Sequence, residues 1–386
     1  MRVIGGQGRI HAVFCRGGTS RAVMFRGSDL PMDRSARDRI FLHVLGSPDP
    51  YGRQLDGMGA GISSLSKAVI VEPSARDDAD VDYTFVQVAV KEPIVDYGTM
   101  CGNMSSAVGP FAVDEGMVQV SDGIATVRVF NTNTGKHFTA RFPVKHGRAV
   151  EAGDFEIPGV AGTGARIRLD YADPGGGASG ALLPTGQPRD MLEVADTGRF
   201  EVSMVDVSNP VVFVRAADFA RSATEGPEEL ERDTDLMDRL DRVRRAASVA
   251  MGLSGTPGEA MLSVPRLVMV APPADFAALD GRRYGAADYH VATRSVSMGN
   301  IHRAIMLSGA MCVAVAANIP GTIVSELAMS AETTLVGTPS GLVPAEAEIR
   351  RHRDGWEAVW ATTYRTQRRL MEGAVLVPAA FLEGAT

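Results

Sequence analysis

Apolar and polar positions along the 386-residue chain follow a succession that occurs twice. VFCRGGTSRAVMF (13–25) reads as an apolar strand, a glycine turn and a second strand. A charged amphipathic helix is predicted over 31–45, opened by proline and aspartate as helix N-termini often are. SLSKAVIVEP (64–73) is a β-branched strand closed by proline, TFVQVAV (84–90) continues the sheet, and TMCGNMSSAVGPFAV (99–113) follows. In the second half MVDVSNPVVFV (204–214) repeats the strand–turn–strand, and 228–251 repeats the charged helix. SVPRLVMVAPP (263–273) repeats the strand closed by proline, and VSMGNIHRAIMLSGAMCVAVA (296–316) the segment around Cys101. Superposing SKAVIV on PRLVMV sets Lys67 opposite Arg266, 199 residues on; superposing CGNM on MGNI sets Cys101 opposite Met298, 197 residues on. Two offsets so close predict a duplicated domain.

The segments after each Gly-Asn are apolar nearly all round, and a helix without a polar face must be enclosed. The predicted class is therefore α+β, with two similar domains, each a mainly antiparallel β-barrel or roll around a central helix. The glycine- and proline-rich stretch 172–190 reads as the hinge, giving domains over 1–183 and 184–386. Its length also suits a functional loop. An apolar segment, Met371 to Leu382, is expected to finish a sheet.

Composition narrows the function classes. Apolar residues make 45% and charged residues 22%, an ordinary globular balance. A net charge of −7 provides no field for nucleic acid or anionic lipid, so neither is an expected partner. The apolar run 304–319 is interrupted and too short for a membrane span. Three widely spaced cysteines, Cys15, Cys101 and Cys312, exclude a disulfide framework; with no signal-peptide core at the start, a reducing, cytoplasmic setting is expected. Glycine is abundant, at 42 residues, which suits tight turns or backbone close to a ligand. Yet no dinucleotide fingerprint occurs, Gly57-Met58-Gly59-Ala60-Gly61 lacks the strand, helix and Lys-Ser/Thr of a phosphate loop, and no Cys/His cluster suggests a metal.

Chemistry gathers elsewhere. Cys101 precedes Gly102 and Asn103 at the predicted start of the enclosed helix, where free N–H groups and the helix dipole favour a thiolate and also bind carboxylates. Cys15 and Cys312, set among apolar neighbours, read as small buried hydrophobes. Only four lysines occur, at 67, 91, 136 and 145, against 35 arginines. Lys67 opens the apolar run AVIV, and unlike arginine it can lose its proton and act as a base. A snorkelling strand-end lysine is the plainer alternative. If the two copies face each other, one supplies Lys67 and Cys101, which exchange protons, and the other Arg266 and Met298, which do not. Arg16-Gly17-Gly18-Thr19-Ser20-Arg21 has the makings of an anion cradle, and Ser63, Ser64 and Ser66 precede Lys67. His302 is expected at the second helix start. Asn131-Thr132-Asn133-Thr134 could contribute amides or simply form a turn. The mixed-charge helix over 231–245 reads as a solvated face.

The chain resembles the PrpF family, related in fold to diaminopimelate epimerase, through RGGTSR (16–21), GSPDPYGRQLDGMG (46–59), SSLSKAVIV (63–71), CGNMSSAVGPFA (101–112), NTNTG (131–135), LLPTG (182–186), DVSNPVVFV (206–214) and SMGNIH (297–302). The resemblance implies a cofactor-independent isomerase with its active site between two domains. Its substrate would be an unsaturated di- or tricarboxylate of the kind of 2-methylaconitate, 3-methylitaconate or 4-oxalomesaconate. Lys67 and Cys101 match the family's catalytic lysine and cysteine. Gly17, Gly18, Thr19 and Ser20, Ser64 and Ser66, Gly102 and Asn103, and Ser297, Met298, Gly299 and His302 match or flank its substrate-holding segments. Arg21 stands where the family has a lysine, so it carries no catalytic role. Met298 stands where epimerases have a second cysteine, which argues against two-thiol racemisation. No cofactor and no metal are implied, and a homodimer is compatible with the family. Which of Lys67 and Cys101 is the base stays open, and so does the identity of the acid. A racemase on the same fold, or a non-catalytic accessory of an aconitase-like enzyme, are the alternatives.

Overall fold

The computed structural model describes residues 2–98, 100–297, 299–353 and 355–382. The chain forms two compact units: Met1–Glu156 with Val160–Leu169 and Arg365–Thr386, and Ile157–Gly159 with Asp170–Tyr364. In the first, β1 (Gln7–Gly17) and β2 (Ser20–Arg26) make an antiparallel hairpin, and β2 runs parallel to β3 (Lys67–Pro73). Next, β3 pairs antiparallel with β4 (Val81–Val88), β4 parallel with β5 (Gly123–Asn131), and β5 antiparallel with β6 (Lys136–Lys145). Each parallel pair needs a long crossover. Helix α1 (Arg34–Leu45) lies on the first and α2 (Gly102–Asp114) on the second.

The second unit repeats this succession of pairings: β7 (Gly198–Val207), β8 (Asn209–Arg215), β9 (Arg266–Ala271), β10 (Val291–Ser297), β11 (Thr334–Thr338) and β12 (Gly341–His352). Helix α3 (Thr234–Ala250) lies between β8 and β9, and α4 (Leu307–Ala317) between β10 and β11. The charged helices α1 and α3 start at aspartate caps, Asp33 accepting the Ala36 N–H and Asp233 that of Leu236. The repeated pattern in the sequence is thus a repeated topology, with mixed α+β character.

Both apolar helices are enclosed. Residues Met104 to Val113 of α2 are all buried, and α2 packs against each of β1 to β6. Gly109 is small because a Cβ there would come within 2.7 Å of the Phe142 ring and 2.9 Å of the Ala140 methyl on β6. The buried hydroxyls of Ser105 and Ser106 donate back to the carbonyls of Cys101 and Asn103, so neither is left unpaired inside the roll. In α4, Leu307 to Ala316 are likewise buried. Among the described residues no helix is long and apolar enough to cross a membrane.

Two expectations about the chain's division need correction. Segment 172–190 is no hinge separating 1–183 from 184–386; it packs into the second unit. The buried carboxylate of Asp206 accepts the N–H groups of Ala178 and Ser179 and the Ser179 hydroxyl, and Gly175 bridges to Val207. The last strand, β13 (Gln367–Pro378), pairs antiparallel with β1 along its full length and so belongs to the first unit. Periodicity alone carries no information on which unit a late strand rejoins.

A buried carboxylate fastens that return. Glu115, just past α2, accepts from His11 Nε2 at 3.0 Å, from Arg26 Nε at 2.7 Å and from Arg369 of β13. Burial by itself would push its pKa up, but the bonds from Arg369 and Arg26 prevail and hold it below the ordinary 4.5. Because its native pKa is depressed, Glu115 contributes stability above about pH 4.5, and that contribution is lost as pH falls through the native value. Glu115→Ala, which leaves the two arginines facing a void, is expected to cost about 3–5 kcal/mol at pH 7. In urea unfolding, the gap to wild type should narrow steadily on acidification below pH 4.5. A constant gap would show that Glu115 acts only through packing.

Candidate active site

Lys67 is the first residue of β3 and faces Gln87 across the antiparallel β3–β4 pair. Its side chain is buried, the residue 6% exposed, with Nζ 2.5 Å from Gln87 Oε1 and 5.0 Å from the centre of the Phe85 ring. Among the described residues no carboxylate lies within ion-pair reach. Burial therefore drives its pKa down from the ordinary 10.5, opposed in part by the negative charge that Cys101 can carry.

Cys101 is the N-cap of α2. Its carbonyl is held by the Ser105 N–H at 3.0 Å, the Ser105 hydroxyl at 3.2 Å and the Tyr83 hydroxyl at 3.2 Å, so the thiol sits on a fixed backbone. Sγ is half-buried and lies 4.0 Å from the Ser20 hydroxyl. The other thiols differ in kind. Burial pushes Cys15 up to about 12 and also raises Cys312, whose S–H points at the carbonyls of Val205, Val207 and Asn209. Both are packing residues, as their apolar neighbours led one to expect.

The turn 17–20 is docked on the start of α2. Gly18 has a φ of +52°, and a Cβ on it would lie 2.3 Å from Asn103 Oδ1; one on Gly17 would lie 2.8 Å from the Asn103 carbonyl. Glycine is therefore required twice for close approach. Asn103 donates to the Thr19 hydroxyl and accepts from the Thr19 N–H and from Arg365 Nε. Arg16 ties the turn to the Thr366 carbonyl and hydroxyl. Thr19 and Asn103 thus brace each other, Ser20 faces the thiol, and Gly102 supplies the first helical N–H.

Below them, Ser64 lies half-buried in a short turn, while Ser66 is fully buried, its hydroxyl accepting from Gln54 and its carbonyl from Gln87. Gln54, at a φ of +52°, also reaches Ser47 and accepts the Gly61 N–H. The glycines of this loop serve its self-packing: a Cβ on Gly57 would sit 2.1 Å from the Gly46 nitrogen. The NTNTG amides, too, are structural. Asn133 brackets the Phe85 backbone N–H and carbonyl and reaches the Tyr97 carbonyl.

In the second unit the sequence match around Met298 is corrected. Asn300–Ile301 returns antiparallel on β10, with Gly299 at a φ of +78° in the turn, and Met298 lies outside the described residues. Helix α4 begins only at Leu307, after its N-cap Met306. The structural counterpart of Cys101 is therefore Met306, 205 residues on rather than 197, because a left-handed glycine makes a hairpin where the other copy starts a helix. Ser297 ends β10, and His302 precedes the helix by five residues, its Nδ1 accepting the Ala304 N–H. The pairing of Lys67 with Arg266 stands: both open the strand that runs parallel to the hairpin's second strand. Arg266 donates to the Ser308 hydroxyl at 3.2 Å, as does Asn209 at 3.3 Å. Gln87, Gln54, Tyr83 and Arg365 were not singled out by sequence; only the position of Gln87 opposite Lys67 in strand register could have signalled one of them.

The fold is shared with crystal structures of a probable proline racemase and a hydroxyproline epimerase, 11% and 10% identical, at TM-scores of 0.52 and 0.54. The model of the PrpF protein family matches residues 7–378, and the chain belongs to that family. It is 40% identical to the 2-methyl-aconitate isomerase of Cupriavidus necator, over 96% of this chain and 97% of that one. It is 37% identical to the 4-oxalomesaconate tautomerase of Pseudomonas putida, over 96% and 97%. A crystal structure of methylitaconate-delta-isomerase superposes with a TM-score of 0.89 at 37% identity, covering 98% of each chain. Like these relatives, the protein is an isomerase.

Proposed function

We propose that the protein shifts a proton across the allylic system of an unsaturated di- or tricarboxylate related to 2-methylaconitate, 3-methylitaconate or 4-oxalomesaconate, with Lys67 as base and Cys101 as acid. The observation that carries this reading is the buried Lys67 amine, which among the described residues has no carboxylate partner and feels the charge of Cys101. Burial favours its neutral form, so it can accept the acidic C–H proton. The C–H electron pair passes into a dienolate, whose charge the N–H groups at the start of α2 can stabilise. Cys101 then gives its proton to the far carbon and the double bond moves; where the dienolate first rotates and the proton returns to the carbon it left, the double bond keeps its place and changes geometry. One proton is taken and one returned; ammonium and thiolate remain, and a proton passed from Lys67 to Cys101 restores both. Gly17, Gly18, Ser20, Ser64 and Gly102 are proposed to line the carboxylates. Three free cysteines, one of them the proposed acid, accord with a reducing cytoplasm.

The test offers the purified protein each of the three acids in deuterated water. Double-bond migration with deuterium at one allylic carbon is the expected result. Inversion at a stereocentre with the double bond fixed would establish the racemase reading instead, and inertness towards all three would sink the proposed substrate class.

A further inference from the structure

Gln87 is held at both ends in a way that leaves one role for its amide oxygen. Its Nε2 donates to the carbonyls of Ser63 at 3.0 Å and Ser66 at 2.9 Å, both obligate acceptors. Turning the amide over would set its oxygen against two carbonyl oxygens, so the orientation is fixed by chemistry. Oε1 then faces Lys67 Nζ at 2.5 Å. The anchor is itself anchored: Ser66 takes the Val88 N–H on its carbonyl and Gln54 on its hydroxyl, and Gln54 is pinned by Ser47 and Gly61. A chain of hydrogen bonds thus runs from the glycine-rich loop through Gln54, Ser66 and Gln87 to the amine. Strand register supplies the rest, because opposed residues of an antiparallel pair share a face and Phe85, two positions before Gln87, presents its ring on that face.

We propose that Gln87 is the positioning residue for Lys67: its amide oxygen ties back one N–H of the amine and turns the nitrogen's lone pair away from β4, towards the substrate. The inference rests on the reading of Lys67 as base. An amide oxygen accepts a hydrogen bond without adding charge, so it orients the amine and leaves it free to lose its proton. A carboxylate at the same place would orient it equally well and lock it as ammonium. Asp96, opposite Gln87 on the short strand Val95–Asp96, is exposed and accepts the Gly98 N–H, so among the described residues no carboxylate is paired with Lys67. β4 presents Gln87 and Phe85, segment 63–66 presents hydroxyls and carbonyls, Arg21 of β2 lies over Phe14, and from α2 only Cys101 acts on Lys67.

Three variants, Gln87→Glu, Gln87→Leu and Lys67→Met, test this through the pH dependence of kcat/KM and through trace acetylation of Lys67 with acetic anhydride, followed by mass spectrometry. With only four lysines, the other three serve as internal references. Gln87→Glu, nearly isosteric, is expected to raise both the acid limb of kcat/KM and the Lys67 labelling midpoint by roughly 1–3 pH units. Gln87→Leu is expected to lower kcat by about 10–100-fold with KM little changed and the labelling midpoint not raised. Should Gln87→Leu fail to fold, the Gln87→Glu midpoint decides alone. Wild-type midpoints and turnover in the Gln87 variants, beside an inactive Lys67→Met, would overturn the role of Gln87 and spare the base. An active Lys67→Met would overturn the base itself, while the labelling shift would still report whether Gln87 governs the amine.

Discussion

Lys67→Met is expected to lose turnover by about 10²–10⁴-fold, the usual contribution of a positioned base, and at the same time to unfold at a higher temperature than wild type at pH 7. The two effects share one cause. The native pKa of Lys67 lies below the ordinary 10.5 because of burial, so the unfolded chain binds this proton over a range where the folded chain does not. Stability consequently rises with pH across that range, and below it the protein carries the full penalty of a buried ammonium. Methionine fills similar space without the charge and removes the penalty. The gain in unfolding temperature should shrink as pH rises towards 10.5. A variant that is inactive and also less stable at every pH would mean that Lys67 supports the fold through its bond to Gln87 more than it burdens it.

Cys101→Ala separates the two halves of the proton transfer. Net isomerisation is expected to fall by about 10²–10⁴-fold, since the far carbon loses its proton donor. Lys67 remains, so the recovered starting acid should still take up deuterium from deuterated water at the carbon that Lys67 deprotonates. Lys67→Met should abolish that exchange as well. Mass spectrometry of the recovered acid after a fixed time distinguishes the variants. If Cys101→Ala stopped exchange while Lys67→Met left it intact, the assignment of base and acid would be reversed. Backbone disruption is a small risk, because Ser105 and Tyr83 hold the Cys101 carbonyl and not its thiol.

Much of this was legible in the chain. The apolar all-round segments identified the enclosed helices, and the shared pattern opened by Lys67 and Arg266 found strands that prove equivalent in register. Lys67 stood out as one of four lysines, and Cys101 by its place before a helix. The match of CGNM with MGNI misled because Gly-Asn serves two purposes: Gly102 opens α2, whereas Gly299 turns a hairpin with positive φ. Four letters do not record which of these the backbone adopts. Gln54 and Gln87 were hidden for another reason. Their importance lies in partners more than ten residues away, which appear only once strands are paired and a loop has folded on itself. The serines before Lys67 looked alike in sequence, yet Ser66 is buried and already engaged while Ser64 remains half-open.

The pairing of β13 with β1 has a consequence for how the molecule is made. The unit that bears Lys67 and Cys101 lacks one of its strands until residues 367–378 have left the ribosome. Arg365 and Thr366, which steady Asn103 and the turn at Gly18, arrive at the same late moment. The nascent first half must therefore wait with an open edge on β1 while the whole second unit is synthesised, a period of exposure in which a chaperone would find its substrate. A polypeptide terminated anywhere between Cys101 and Gln367 would carry both reactive side chains and still lack the wall that shapes them into a catalyst.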